Sequence, residues 1–66
     1  MDRNNEFAGR VIVVSGAGSG IGRATALLLG QLGASLAVAD IDLTAARDVA
    51  SEIAGAGGSA KPFVVD

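Results

Sequence analysis

Apolar residues fall along the chain in three short runs separated by two stretches of helical spacing. Val11 to Val14 is apolar at successive positions, without the alternation of a strand that has one wet face. This predicts a parallel strand over Arg10 to Val14, buried on both sides. From Gly20 the spacing changes. Ile21, Ala24, Leu28 and Leu32 lie three or four residues apart and share one face of a helix expected from about Gly20 to Leu32, with Gly33 as its C-terminal cap. Gly30 costs that helix about 1 kcal/mol relative to alanine, and so marks close packing against the sheet. Ser35 to Ala39 reads as the second strand, closed by Asp40. Asp42 is the expected N-cap of a second helix in which Leu43, Ala46, Ala50 and Ile53 share a face, and the Gly-Ala-Gly-Gly stretch at 55–58 ends it. Ala60 to Val65 reads as a third strand running into Asp66. Pro62 donates no ladder hydrogen bond, which suits an edge strand or a strand's first residue. Met1 to Gly9 is a polar lead-in, with Phe7 and Ala8 placed to pack at the start of the first strand.

The order β-α-β-α-β joins strands through helices and therefore predicts a parallel α/β sheet. Two right-handed crossovers moving the same way across the sheet put both helices on one face. The other face is then bare, yet Val11 to Val14 and Leu36 to Ala39 are as apolar on that side as on the covered one. The sequence thus reads as half of a doubly wound domain, residues 1–66 being the N-terminal portion of a single truncated unit. More chain or a partner is needed to cover the bare face.

Composition narrows the function classes. With 66 residues there is room for one core, and a chain this short buries only about 60% of its unfolded surface. Half the residues are hydrophobic and 18% are charged, which argues against disorder. Net charge is −2 and the five basic residues are scattered singly, so no basic face for nucleic acid is expected. Cysteine and histidine are both missing, which removes disulfides, thiol chemistry and the common zinc sites and suits a reducing compartment. The N-terminus has no apolar core of the signal-peptide kind. The longest uncharged run, Ala24 to Ala39, is 16 residues with two glycines and Gln31 inside it, short for a membrane span. A soluble, cytoplasmic protein without metal or membrane partner is the expectation.

The chemistry concentrates between the first strand and first helix, where Gly16, Gly18, Gly20 and Gly22 supply four of seven positions. Backbone N–H groups at a helix N-terminus are unpaired and lie at the positive end of the helix dipole, and glycines let a bulky anion approach them closely. The expected ligand is a phosphate or pyrophosphate. The G-x-G-x-x-G fingerprint fails in both registers, since Ile21 and Arg23 occupy the position of its last small residue. A Walker loop needs a glycine followed by lysine, which this chain lacks. The G-x-G-x-G loop of adenosylmethionine-dependent methyltransferases is satisfied by Gly16, Gly18 and Gly20, but Val14 stands where that family usually has an acid. A fragment of such an enzyme is the weaker alternative.

Ser15-Gly16-Ala17-Gly18-Ser19-Gly20-Ile21-Gly22 resembles the Thr-Gly-x-x-x-Gly-x-Gly cofactor loop of the short-chain dehydrogenase/reductase family, with serine for threonine. The likeness continues through Gly22 to Ala26, Leu32 to Ala34, Val38 to Asp40 and Val64 to Asp66. It implies a Rossmann-type cofactor domain in which Ser15, Gly16, Gly18, Ser19, Gly20, Ile21 and Gly22 form the phosphate loop, with Gly22 also allowing close helix packing. Asp40, 20 residues after Gly20, would accept both hydroxyls of the adenosine ribose and repel a 2′-phosphate. Family members that use NADP often carry a basic residue at the positions of Ile41 or Ser19, so the resemblance implies NAD. Ile41 would pack on the adenine ring and Asp66 would meet its amino group. Arg23 reads as a surface arginine, and Asp48 with Glu52 as a solvated helix face.

The same family's chemistry uses a tyrosine, a lysine that lowers its pKa, and a serine, all in a later half of the fold. There is no tyrosine among the 66 residues, and Lys61 matches no catalytic motif. No catalytic residue is therefore expected here, and the chain alone should be inactive. The resemblance implies the adenosine-binding segment of an NAD-dependent oxidoreductase that moves hydride between nicotinamide and a small alcohol or ketone, a homo-oligomer in its full-length form. The alternative is a non-enzymatic nucleotide- or partner-binding module whose bare sheet face is buried by another chain.

Overall fold

The computed structural model describes residues 7–18 and 20–65. Strand β1 (Val11–Ser15), helix α1 (Gly20–Gln31), strand β2 (Ser35–Asp40), helix α2 (Leu43–Gly55) and strand β3 (Ser59–Val64) follow in the predicted order. Strands β1 and β3 are each displaced by one residue from their predicted bounds, β1 later and β3 earlier in the chain, and β2 extends one residue further, to Asp40. All pairing is parallel, in the order β1-β2-β3, the α/β half-sheet of a Rossmann-type fold. The register runs from Val11 opposite Ser35 opposite Ser59 to Ser15 opposite Ala39 opposite Phe63, so the carboxyl ends of the strands lie side by side. Pro62 sits within β3 opposite Val38, on a strand that has a described neighbour on one side only.

Side chains alternate across the sheet as strand geometry requires. Val14, Leu36 and Val38 enter one buried cluster with Ala26 of α1 and with Val49, Ala50 and Ile53 of α2. Both helices therefore cover the same face. Residues of the opposite alternation stay open: Val13 is 68% exposed, and Val11, Phe63 and Val65 are exposed as well. Val13, Phe63 and Val65 line a shallow apolar depression together with Ala37, Ala39 and Val64. The expectation that β1 is buried on both sides is thus met on the helix side only. Among the described residues no helix is long and apolar enough to cross a membrane.

Helix α1 departs from its predicted orientation. Ile21 is 86% exposed and Leu28 55% exposed, and Ala24 is exposed too. The face that packs inward carries Ala26, fully buried, with Leu27 and Leu29 against the core and Gly22 and Gly30 at its two ends. An interface built from glycine and alanine has little hydropathic signal, so the larger residues on the outer face dominate the periodicity. Gly30 packs against a different neighbour than expected. A Cβ built there would lie 2.9 Å from Cγ2 of Ile53, so its close approach is to α2 and not to the sheet. Of the predicted face of α2, Ala46, Ala50 and Ile53 are buried, joined by Val49, while Leu43 at its start is half-buried. Its N-cap is Asp42, whose carboxylate accepts from Thr44 N–H and Ala45 N–H. Gly33 follows α1 in the left-handed conformation and its N–H donates to the Gly30 carbonyl, as a C-terminal cap should.

Candidate functional site

The carboxyl end of the sheet is where an open parallel α/β structure presents ligand-binding groups, and three segments meet there. The glycine turn leaves β1, Asp40 ends β2, and Val65 N–H donates to the Asp40 carbonyl at 3.0 Å, bringing the end of β3 alongside. The turn itself is anchored from below: Ala17 is fully buried and its N–H donates to the Ala39 carbonyl at 3.1 Å.

Two of the turn glycines leave room above the backbone. Gly16 and Gly20 have φ of 65° and 56°, and a Cβ on either would meet nothing within 4 Å. The left-handed conformation explains glycine there, and the open space leaves the backbone accessible to a bulky anion. Gly22 serves the opposite purpose. A Cβ there would collide with the Gly16 carbonyl oxygen, so the first turn of α1 closes directly onto the loop. The residues present fit a dinucleotide phosphate: open backbone at the start of a helix, and no side chain projecting from Gly16 or Gly20.

Asp40 is held from two sides. Its Oδ2 accepts from Gly18 N–H at 2.9 Å and its Oδ1 accepts from Asp42 N–H at 3.0 Å. The Asp42 N–H, then the Gly18 N–H, with a smaller contribution from Ile41, hold the Asp40 carboxyl below its ordinary value, because hydrogen bonds to the charged form favour it. A carboxylate so fixed is an ionised, oriented acceptor. Each oxygen has further lone-pair capacity beyond the bond it already makes.

The structure brings Gly18 and Asp40 into direct contact and places Ser15 and Gly16, both exposed, at the end of β1. Ile41 follows Asp40 with its side chain 76% exposed, and Ile21 is exposed in the first turn of α1. Ser19 and Asp66 lie outside the described residues. Arg23, in the first turn of α1, pairs with both carboxylate oxygens of Glu52. Both side chains remain exposed, and Arg23 is raised above its ordinary pKa by that partner. Glu52 is thus part of an ion pair between the two helices, beyond a merely solvated face. Two contributions escaped the sequence reading. Asp42 was legible as a cap but its own N–H also fixes Asp40, an Asx turn that the spacing of two residues could have suggested. Ala45, against which a Cβ on Gly18 would lie at 2.5 Å, carries no sequence signal.

This arrangement has known counterparts. Residues 10–66 match the sequence profile of the family described as short chain dehydrogenase. Cyclohexanol dehydrogenase of Acinetobacter sp. (strain SE19) is 53% identical over 57 residues, covering 86% of this chain and 23% of the relative. A metagenomic short-chain oxidoreductase solved in complex with NADP superposes with a TM-score of 0.90 at 43% identity, over 92% of this chain and 28% of its own. A 7α-hydroxysteroid dehydrogenase solved with NADH and 7-oxo glycochenodeoxycholic acid gives a TM-score of 0.91 at 38% identity, over 97% of this chain and 25% of its own. The chain spans about a quarter of the length of these relatives. With strand, glycine turn, helix and acidic strand end all matched within residues 10–66, the chain belongs to the short chain dehydrogenase family.

Proposed function

We propose that residues 10–66 form the adenosine half of an NAD site in an oxidoreductase that moves hydride between nicotinamide and the carbon of a small alcohol or ketone. NAD when bound supplies the hydride acceptor. The residues described here bind and orient its adenosine side. Gly16, Gly20 and Gly22 present backbone along the adenine-side phosphates, with Gly18, Ile21 and the hydroxyls of Ser15 and Ser19 completing the loop. Asp40 accepts the two ribose hydroxyls, Ile41 lies over the adenine ring, and Asp66 receives its amino group. The proton chemistry of the reaction is assigned to residues outside these 66.

The observation that carries the preference for NAD is the Asp40 carboxylate, bonded to Gly18 N–H and Asp42 N–H and so held ionised. A 2′-phosphate placed there meets charge of its own sign. Arg23, the arginine that follows the loop, is engaged by Glu52, and Ile41 offers no charge. The test is titration of the full-length protein with NAD and NADP by calorimetry. Tighter binding of NAD is expected, and equal or tighter binding of NADP refutes the assignment.

A further inference from the structure

We propose that Ala45 is a positioning residue for the carboxylate that reads the ribose, acting through its contact with Gly18; the inference rests on the assignment of Asp40 above. Three groups meet at one point. Gly18 donates its N–H to Asp40 Oδ2 at 2.9 Å, and a Cβ on Gly18 would fall 2.8 Å from that same oxygen and 2.5 Å from the Ala45 Cβ. The gap that a side chain on Gly18 would enter is thus already filled, by the Asp40 carboxylate and by Ala45 in the first turn of α2 together. Ala45 is itself held in place, because its N–H donates to the capping carboxylate of Asp42 at 3.3 Å, while Asp42 N–H donates to Asp40 Oδ1. The first turn of α2 thus acts as a wall against which the loop rests, and the loop's height decides whether Gly18 N–H reaches Oδ2.

A larger side chain at 45 lifts the loop off this wall and breaks the Gly18 bond. Oδ2 is then free to rotate about the remaining Asp42 bond, and the carboxylate no longer presents both oxygens to vicinal hydroxyls. The consequence is specific: recognition of the 2′-hydroxyl falls further than recognition of the rest of the adenosine phosphate.

The test compares binding of AMP and 2′-deoxy-AMP to the full-length protein by calorimetry. The unaltered protein is expected to prefer AMP roughly tenfold, the effect of a hydrogen bond to a charged acceptor. In Ala45→Leu the preference should fall to about threefold or less, and Gly18→Ala, which crowds the same contact from the other side, should show the same loss. Ala45→Ser, which adds one atom where leucine adds three, should keep more of the preference than Ala45→Leu. An Ala45→Leu or Gly18→Ala protein that weakens both nucleotides equally, with the ratio kept, overturns the role of Ala45. An unaltered protein that does not distinguish the two nucleotides overturns the reading of Asp40 itself, and the inference falls with it. Should Ala45→Leu fail to fold, Ala45→Val, which adds two carbons at the same contact, decides the matter by the same ratio.

Discussion

Replacing Gly30 by alanine and Ile53 by alanine, singly and together, tests how the two helices are fitted. Ile53 is 2% exposed and its Cγ2 is pressed from two sides. A Cβ on Gly30 would lie 2.9 Å from it and a Cβ on Gly58 2.7 Å. That methyl branches from the β-carbon, so it cannot retreat without a strained χ1. Gly30→Ala gains about 1 kcal/mol of helix propensity and loses about 1–3 kcal/mol to overpacking. Its net effect lies between neutral and about 2 kcal/mol destabilising. Ile53→Ala costs about 2–5 kcal/mol through lost transfer energy and a cavity. In the double variant the new methyl at 30 enters vacated space, so the overpacking cost disappears while the propensity gain stays. The double variant is then at least as stable as Ile53→Ala alone, with a coupling of about 1–3 kcal/mol. Urea midpoints of the full-length protein and its three variants measure this. Additivity within about 0.5 kcal/mol refutes the claim that Gly30 exists to admit Ile53.

Three further outcomes are expected. Gly22→Ala drives a carbon into the Gly16 carbonyl and should open the loop, weakening NAD binding roughly tenfold or more; calorimetry showing unchanged affinity would contradict the packing role. Asp40→Asn should remove a stabilising contribution that depends on pH. Because the folded-state carboxyl is depressed, that contribution is fully present above the ordinary aspartate value and is lost as pH falls through the lower folded value. The difference in urea stability between the two proteins should therefore be constant near neutrality and shrink in acid, and a difference that grows in acid reverses the sign of the argument. The 66-residue chain produced by itself, with Val11, Val13, Phe63 and Val65 exposed on one sheet face, should aggregate or melt without a cooperative transition and bind NAD weakly; a sharp melt with micromolar NAD affinity would refute this.

The sequence alone determined the order and kind of the elements, because each is specified locally. The apolar run at Val11 to Val14, the glycine turn, the Asp42 cap and the glycines at 33 and 55–58 set strand, turn and helix ends through the conformational preferences of a few neighbouring residues. The place of Asp40 at the end of the second strand was likewise legible, from the apolar run that leads into it. Tertiary structure decided what depends on small residues and on backbone groups far apart in the chain. Which face of α1 turns inward is set by Gly22, Ala26 and Gly30, whose hydropathy is nearly silent, so Ile21 and Leu28 misled the periodicity. The bond from Gly18 N–H to Asp40, the pairing of Arg23 with Glu52 and the seat of the loop on Ala45 all follow from the parallel register that sets Ser15 beside Ala39. That register is fixed by burial of Val14, Leu36 and Val38 beneath the helices, a condition on the whole sheet that no local stretch contains.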